Sequence, residues 1–286
     1  MAIRPTHLRC GPHLLDLGQP LVMGVLNATP DSFSDGGAFV DHQRALDHAR
    51  RMVADGADLI DIGGESTRPG AEPVAEAVEL ARVIPLVETL SREGIPVSID
   101  TMKAQVMRQA IASGAALIND VRALREEGAL AAVASSEAAV CLMHMQGEPR
   151  AMQHDPRYAD VVGEVHAFLA ERARACAVAG IARDRVVLDP GFGFGKTKEH
   201  NLALLRALPA LTGLGYPILV GLSRKSMLKQ LTGRTVHERL PASLAAALAA
   251  VGRGASIVRV HDVRETVDAL AVWRAIGPFE QIQDRR

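Results

Sequence analysis

The sequence predicts a closed (β/α)8 barrel, a single-domain α/β fold, on three observations. Short apolar runs and helix-length amphipathic segments alternate eight times, which implies a parallel sheet with right-handed crossovers. No composition break is long enough to be a linker, and 286 residues accommodate the roughly 250 of such a barrel. The apolar runs also end abruptly on polar residues: Asn27, Asp61, Asp100, Asn119, Asp189, Lys225 and Arg259. Polar side chains on successive strand tips converge at one end of a barrel, where this fold carries its sites. An open doubly wound sheet would instead concentrate its ligand contacts on one or two loops at a switch point.

Residues 1–20 carry scattered Pro, Gly and His, and are expected to form an irregular lead-in or a hairpin capping the barrel bottom. Residues 21–286 are left for the barrel. Leu21 to Leu26 is long enough for one buried strand. It turns polar at Asn27 and continues into a loop rich in Gly, Pro, Asp and Ser. A helix follows from Asp41, with Gly56 as its stop signal. Asp58–Gly64 is the second strand, followed by a helix over Pro73–Glu93 that ends at Gly94. Pro96–Asp100 and Ala116–Asp120 are strands three and four, with helices over Lys103–Ser113 and Gly128–Ser136. Ala139–Met145 is strand five, then a long polar loop and a helix over Asp160–Ala179. Arg185–Gly191 is strand six, with helix six over Asn201–Leu211. Pro217–Ser223 is strand seven, followed by short helical turns and a helix over Pro241–Val251. Ser256–Asp262 is strand eight, and Arg264–Ile276 the last helix.

Composition narrows the function classes. Apolar residues make up 48% of the chain and aromatics only 3%, so Ala, Val, Leu and Ile must build the core. That suits parallel strands covered by helices. A net charge of −1 and no basic block give a nucleic-acid partner no electrostatic support. Cys10, Cys141 and Cys176 are odd in number and far apart, as expected for reduced, mostly buried thiols of a cytoplasmic protein. The first residues lack the apolar core of a signal peptide. No apolar run approaches the roughly 20 residues of a membrane span, so no membrane partner is expected.

Several motifs carry chemistry. Asp189–Lys196, DPGFGFGK, suggests a phosphate loop, but its glycines and lysine fit neither the P-loop nor the GxGxxG spacing. The alternative is that Asp189 ends a strand and the glycines let backbone and Phe194 approach a flat ligand. In GGESTRPG, Arg68 beside hydroxyls suits an oxyanion, because a guanidinium fork matches phosphate oxygens. A solvated loop arginine is the plainer explanation of that segment alone. Asp100 and Asn119 end consecutive strands and offer acceptors and one donor group, as a heterocyclic amide edge requires. Loop capping is the competing use of such residues. GLSRKS and RVHDV place Lys225, Arg259 and His261 at the last two strand ends, where barrels often bind phosphate. His144, His154 and His261 lack metal-ligand spacing such as HExxH, and no GxSxG elbow supports a serine hydrolase. Any metal would be Mg2+ bridging oxygen ligands to a substrate diphosphate.

NATPDSFSDGG, DIGGESTRPG, SIDT, IND, MHMQGEP, DPGFGFGK, GLSRKS and RVHDV, in this order across residues 21–263, together resemble the dihydropteroate synthase family of folate biosynthesis. Ala28 departs from a family position that more often holds Val. The resemblance implies condensation of 6-hydroxymethyl-7,8-dihydropterin diphosphate with p-aminobenzoate, with Mg2+ as cofactor, a homodimer, and sulfonamide competition at the p-aminobenzoate pocket. Carried over by motif, Asp100, Asn119, Asp189 and Lys225 would bond the pterin edges, while Met143, Phe194, Gly221 and Arg259 border the ring. Asn27, Thr67, Arg68, Arg259 and His261 would hold the diphosphate, with Asn27 also at the Mg2+. Phe33, Thr67, Pro69, Lys225 and Ser226 would frame p-aminobenzoate. Asp100, Lys225 and Arg259 are the expected catalytic residues. The loops after Asn27 and Gly64 are expected to close over the diphosphate, so that the pterin binds first. Two other functions share parts of this pattern. A methyltetrahydrofolate methyltransferase barrel would keep the Asp/Asn contacts without needing the Arg68, Arg259 and His261 cluster. A non-catalytic pterin-binding paralogue would have lost an anion or p-aminobenzoate residue.

Overall fold

Successive side chains of a strand point to opposite faces, so a strand buried on both sides carries two separate sets of contacts. The computed structural model describes residues 5–28, 37–65, 73–148 and 152–277. Strands β1 (His7–Cys10) and β2 (His13–Asp16) form an antiparallel hairpin. Its turn uses Gly11 at φ +53°, a left-handed conformation that glycine adopts without steric penalty. The barrel strands are β3 (Leu21–Asn27), β4 (Leu59–Gly63), β5 (Val97–Asp100) and β6 (Leu117–Asp120). They continue with β7 (Ala139–Met143), β8 (Val186–Asp189), β9 (Leu219–Val220) and β10 (Ile257–Val260). All pair in parallel in the order β8-β7-β6-β5-β4-β3-β10-β9, and a parallel bridge between Leu188 and Ile218 closes the ring.

The period of two divides each strand between an inner and an outer core. Ile60 and Ile62 of β4, Val97 and Ile99 of β5 and Ile118 of β6 pack outward against the helices. Leu59, Leu117, Cys141, Val187, Leu219 and Ile257 pack inward. The inner cluster also takes Leu8 and Cys10 of the hairpin, which therefore plugs the end from which the strands start. The residues two places after the inward apolar ones are polar: Asp61 after Leu59, Asn119 after Leu117, Asp189 after Val187 and Arg259 after Ile257. One strand face is thus hydrocarbon at its entry and charged at its exit.

The helices form for local reasons. Helix α1 (Gly37–Ala54) starts four residues ahead of the expected Asp41. Helix α2 (Glu76–Arg92) buries Val83, Leu86, Val87 and Leu90 at helical spacing, each contributing roughly 2 kcal/mol of burial. Helices α3 (Ala104–Ala112) and α4 (Ala129–Ala134) follow β5 and β6. Helix α5 (Val161–Val178) is capped by Asp160, whose side chain accepts from the Val162 N–H at 3.1 Å. The expected sixth helix is two: α6 (Lys198–Arg206) and α7 (Leu208–Thr212). Pro209 sits in the first turn of α7 and, lacking an N–H, could not have continued α6. Helices α8 (Ser226–Thr232), α9 (Leu240–Val251) and α10 (Val263–Ile276) complete the ring.

Strand seven is also shorter than its sequence suggests. Pro217 can only accept, taking the Leu188 N–H at 3.0 Å, and Ile218 receives the Ser256 and Ile257 N–H groups at 2.8 and 3.1 Å. Gly221 lies beyond regular pairing, at the opening of the barrel. Likewise β7 stops at Met143, although the His144 N–H still donates to the Asp189 carbonyl at 3.0 Å. Among the described residues, no helix is long and apolar enough to cross a membrane. Cys10, Cys141 and Cys176 are all buried and unpaired.

Candidate active site

The exit end of the inner face holds a hydrogen-bonded network centred on Asp61, which is fully buried. Ser98 Oγ donates to its Oδ1 at 2.5 Å. Its Oδ2 accepts from Asn119 Nδ2 at 3.1 Å and from Arg259 Nε at 2.6 Å. Arg259 Nη2 reaches on to Asp100 Oδ2 at 2.9 Å. The register makes this possible, since Asp61 lies opposite Ser98 and Asp100 opposite Asn119 on adjacent strands. Arg259 enters from β10, two strands away from β4 across β3.

Burial dominates the electrostatics. It pushes the Asp100 carboxyl up to about 7, with Arg259 opposing the rise and Asp61 adding to it. It also raises Asp189 to about 6, against the Gly191 N–H bond and the Lys225 and Lys196 charges. At Arg259 burial works against the charge, but Asp61 and Asp100 outweigh it and hold the guanidinium firmly protonated. Among the described residues, Asp100 Oδ1 is buried without a hydrogen-bond partner. A buried acceptor in that state is an incomplete interaction that a ligand N–H can satisfy.

Asp189 lies opposite Met143 across β7 and β8, and its Oδ1 accepts from the Gly191 N–H at 2.7 Å. Met143 packs in an apolar cluster with Val121, Met145 and Met152, against which Met102 and Phe194 lean. Lys225 Nζ stands 4.2 Å from the centre of the Phe194 ring, a cation–π distance. One end of the barrel thus combines an apolar wall of Met143 and Phe194 with a polar floor of Asp100, Asn119, Asp189 and Arg259. That combination suits a flat heterocycle with donor edges.

The loop carrying Phe194 is held by Lys196. This lysine is buried, and its Nζ lies 3.0 Å from His144 Nδ1 and 3.2, 3.0 and 3.0 Å from the carbonyls of His144, Gly191 and Phe194. Burial lowers the Lys196 pKa to about 7, and burial with the Lys196 charge lowers His144 to about 3. Lys196 is therefore a loop brace, which disposes of the phosphate-loop reading of DPGFGFGK.

The remaining expected residues reach the same rim by separate routes. Asn27 is the last residue of β3 and half-buried. His261 follows β10, its Nδ1 3.0 Å from Ser223 Oγ. Lys225 is not on a strand tip as expected: β9 ends at Val220, and Lys225 stands at the N-cap position of α8. Ser226 is the exposed first residue of that helix, and a Cβ on Gly221 would meet open space. Phe33, Thr67, Arg68 and Pro69 lie outside the described residues, as do most of the loops expected to close after Asn27 and Gly64. Asp61 and Lys196 are the residues whose contacts the sequence did not reveal. Asp61 was expected as a strand-tip carboxylate and stands in the middle of β4. Its in-phase position with Asp100 and Asn119 on three consecutive strands is the signal that links it to them.

Comparison with known proteins agrees with this geometry. The family described as pterin binding enzyme matches residues 23–261, and the chain belongs to that family. The dihydropteroate synthase of Neisseria meningitidis serogroup C is 52% identical over 274 residues, covering 94% of this chain and 97% of the relative. The Yersinia pestis dihydropteroate synthase, solved with a sulfonamide drug complex, superposes with a TM-score of 0.90 at 50% identity, covering 94% of this chain and 98% of that one. The Burkholderia cenocepacia dihydropteroate synthase, complexed with 7,8-dihydropteroate, gives 0.88 at 54% identity, covering 96% and 97%. Within its family the chain is therefore one of the dihydropteroate synthases, transferases of folate biosynthesis.

Proposed function

We propose that the chain joins 6-hydroxymethyl-7,8-dihydropterin diphosphate to p-aminobenzoate, releasing pyrophosphate and 7,8-dihydropteroate, as a cytoplasmic homodimer that uses Mg2+. The observation carrying this reading is the buried acceptor set of Asp100, Asn119 and Asp189 around Arg259, beside the Met143–Phe194 wall. A related synthase at 54% identity holds 7,8-dihydropteroate itself.

In this reaction a C–O bond to the diphosphate breaks and a C–N bond to the aromatic amine forms. The amine is neutral near pH 7 and needs no strong protein base; its proton passes to solvent. The protein must bind the ring, hold the leaving group and stabilise charge. Asp189 accepts adjacent ring and amino N–H donors, and Asp100 accepts another through its orphaned Oδ1. As the diphosphate departs, positive charge builds on the pterin, and the Asp100 carboxylate stabilises it. Arg259 and His261, with Thr67 and Arg68 of the loop outside the described residues, are assigned to the diphosphate. Lys225 and Ser226, with Phe33, Thr67 and Pro69, are assigned to p-aminobenzoate.

The donor set fits Mg2+ in one specific way. Among the described residues no three His, Cys, Asp or Glu side chains could together hold a metal ion. Asn27, a neutral oxygen donor, ends β3 at the rim. Mg2+ commonly keeps several waters and is held by one or two protein oxygens plus substrate phosphates, so Asn27 would be its protein ligand. The ion would neutralise charge on the departing pyrophosphate.

The test is product formation from the two substrates with Mg2+, followed by mass detection of dihydropteroate. Product that disappears with EDTA, and with Arg259→Ala, supports both substrate and anion assignments. Asp100→Asn should lower kcat about 100-fold while changing pyrophosphate affinity little, as expected for a group acting on charge in the transition state. Unchanged turnover in that variant would remove Asp100 from the mechanism.

A further inference from the structure

Asp61 has no assigned contact with either substrate and is completely buried, yet its one carboxylate meets three side chains of the site. Each contact restricts a partner. An Asn amide has an oxygen end and a nitrogen end, and a carboxylate can accept only from the nitrogen. Asp61 Oδ2, 3.1 Å from Asn119 Nδ2, therefore turns Asn119 Oδ1 away from itself. The same oxygen takes Arg259 Nε at 2.6 Å, which with the Nη2 bond to Asp100 at 2.9 Å fixes the guanidinium plane at two points. Ser98, directly opposite in register, fills the other carboxylate oxygen and fixes its rotation.

We infer that Asp61 is a positioning residue that sets the donor–acceptor sense of the pterin site. It makes Asn119 present its carbonyl oxygen and makes Arg259 engage Asp100 through Oδ2, leaving Asp100 Oδ1 as the second acceptor. The site then meets the heterocycle with acceptors at both positions and selects rings whose facing edge carries N–H or amino donors. This inference rests on the pterin-binding reading above and adds the residue that orients it.

Asp61→Ala tests it, because the methyl removes the one oxygen that holds Asn119 by its nitrogen end and Arg259 by Nε. The variant should lower kcat/KM for the dihydropterin diphosphate about 30-fold and leave the KM for p-aminobenzoate within about twofold. A residue acting through Asn119 must also be non-additive with it. The double variant Asp61→Ala/Asn119→Ala should fall short of the product of the single losses by about fivefold or more. Losses that simply multiply, or equal effects on both substrates, would overturn the inference and leave Asp61 a stability residue.

A second measurement uses the unmodified protein and does not depend on the variant folding. The side-chain NH2 protons of Asn119, identified by their loss in Asn119→Ala, should exchange slowly with solvent in the free protein. They should shift little when a diphosphate-free pterin is added, because they face Asp61. Fast exchange, or a large shift on binding, would show the amide turned the other way and sink the proposal. If the unmodified protein makes no dihydropteroate and binds no pterin, the functional reading fails, while the exchange rate in the free protein still decides the Asp61–Asn119 contact.

Discussion

Burying a carboxylate for ligand recognition weakens the free protein, and Asp189 lets that trade be measured. Its pKa is raised from 3.8 to about 6, chiefly by burial. Between those values the folded form keeps a proton that the unfolded chain has released. Stability from this group is therefore fully present below about pH 4 and is lost as pH rises through 6. A shift of about 2 units bounds the penalty near 3 kcal/mol, reduced in practice by structural relaxation. Asp189→Asn keeps an oxygen for the Gly191 N–H and removes the charge. It should raise the melting temperature by about 5 °C at pH 8, change it little at pH 3.5, and abolish pterin binding. Thermal melts at both pH values with a pterin titration check this; a lower melting temperature at pH 8 would mean the Lys196 and Lys225 charges depend on Asp189 more than burial opposes it. With Asp100 raised to about 7, kcat/KM for the pterin should also fall as pH drops below about 7. The two acids and Arg259 form one coupled set, so that limb belongs to the set rather than to one residue.

The β8–α6 loop shows why an element can look like one motif and work as another. Gly191 has φ +70°, and a Cβ there would come within 1.9 Å of the His144 carbonyl oxygen. Lys196 then ties two carbonyls of this turn, Gly191 and Phe194, to the His144 carbonyl beyond β7. Gly191→Ala should destabilise the protein by about 3 kcal/mol and weaken pterin binding by displacing Asp189. Gly221 is the control, because its backbone is not left-handed and a Cβ there would meet open space. Gly221→Ala should leave stability within about 0.5 kcal/mol but still weaken pterin binding if Gly221 borders the ring as the family resemblance implies. Denaturant midpoints and pterin affinities of both variants separate the two effects; a destabilised Gly221→Ala would contradict it. The sequence carried the strands and most of the residues at their ends, because a two-residue period and a polar interruption are local signals. Asp61, in the middle of β4, and Lys225, past β9 at the start of α8, are not at strand tips. It did not carry the burial of Lys196, whose partners lie at His144 as well as in its own loop. Nor did it carry the shortening of β9, set by which groups Pro217 and Ile218 can pair across the closing seam. Asp61 stood in view but acquires meaning only when Arg259, 198 residues later, is brought against it.

At the scale of the whole molecule, the inner face divides stability from chemistry along the barrel axis. The entry end is hydrocarbon, closed by Leu8 and Cys10 of the hairpin against Leu21, Leu59, Leu117, Leu219 and Ile257. The exit end spends its interior volume on Asp61, Asp100, Asn119, Asp189 and Arg259, which contribute little to folding and in part oppose it. A barrel loaded with buried charge at one end must draw its stability from the other end and from the outer core. The hairpin's ion pairs cannot supply it: Arg9 meets Glu137 and Asp184 at the surface, where such pairs contribute about 0–1 kcal/mol. Leu8, fully buried, is the stronger anchor. Leu8→Ala should therefore cost about 3 kcal/mol and lower the melting temperature by about 5 °C. It should leave kcat and both KM values unchanged, because no strand tip moves when the opposite end loses a methyl cluster. Melting and steady-state kinetics on the same preparation decide the matter. A fall in kcat with an unchanged melting temperature would mean that the plug sets the strand tips rather than the stability, and that the two ends of the barrel are coupled.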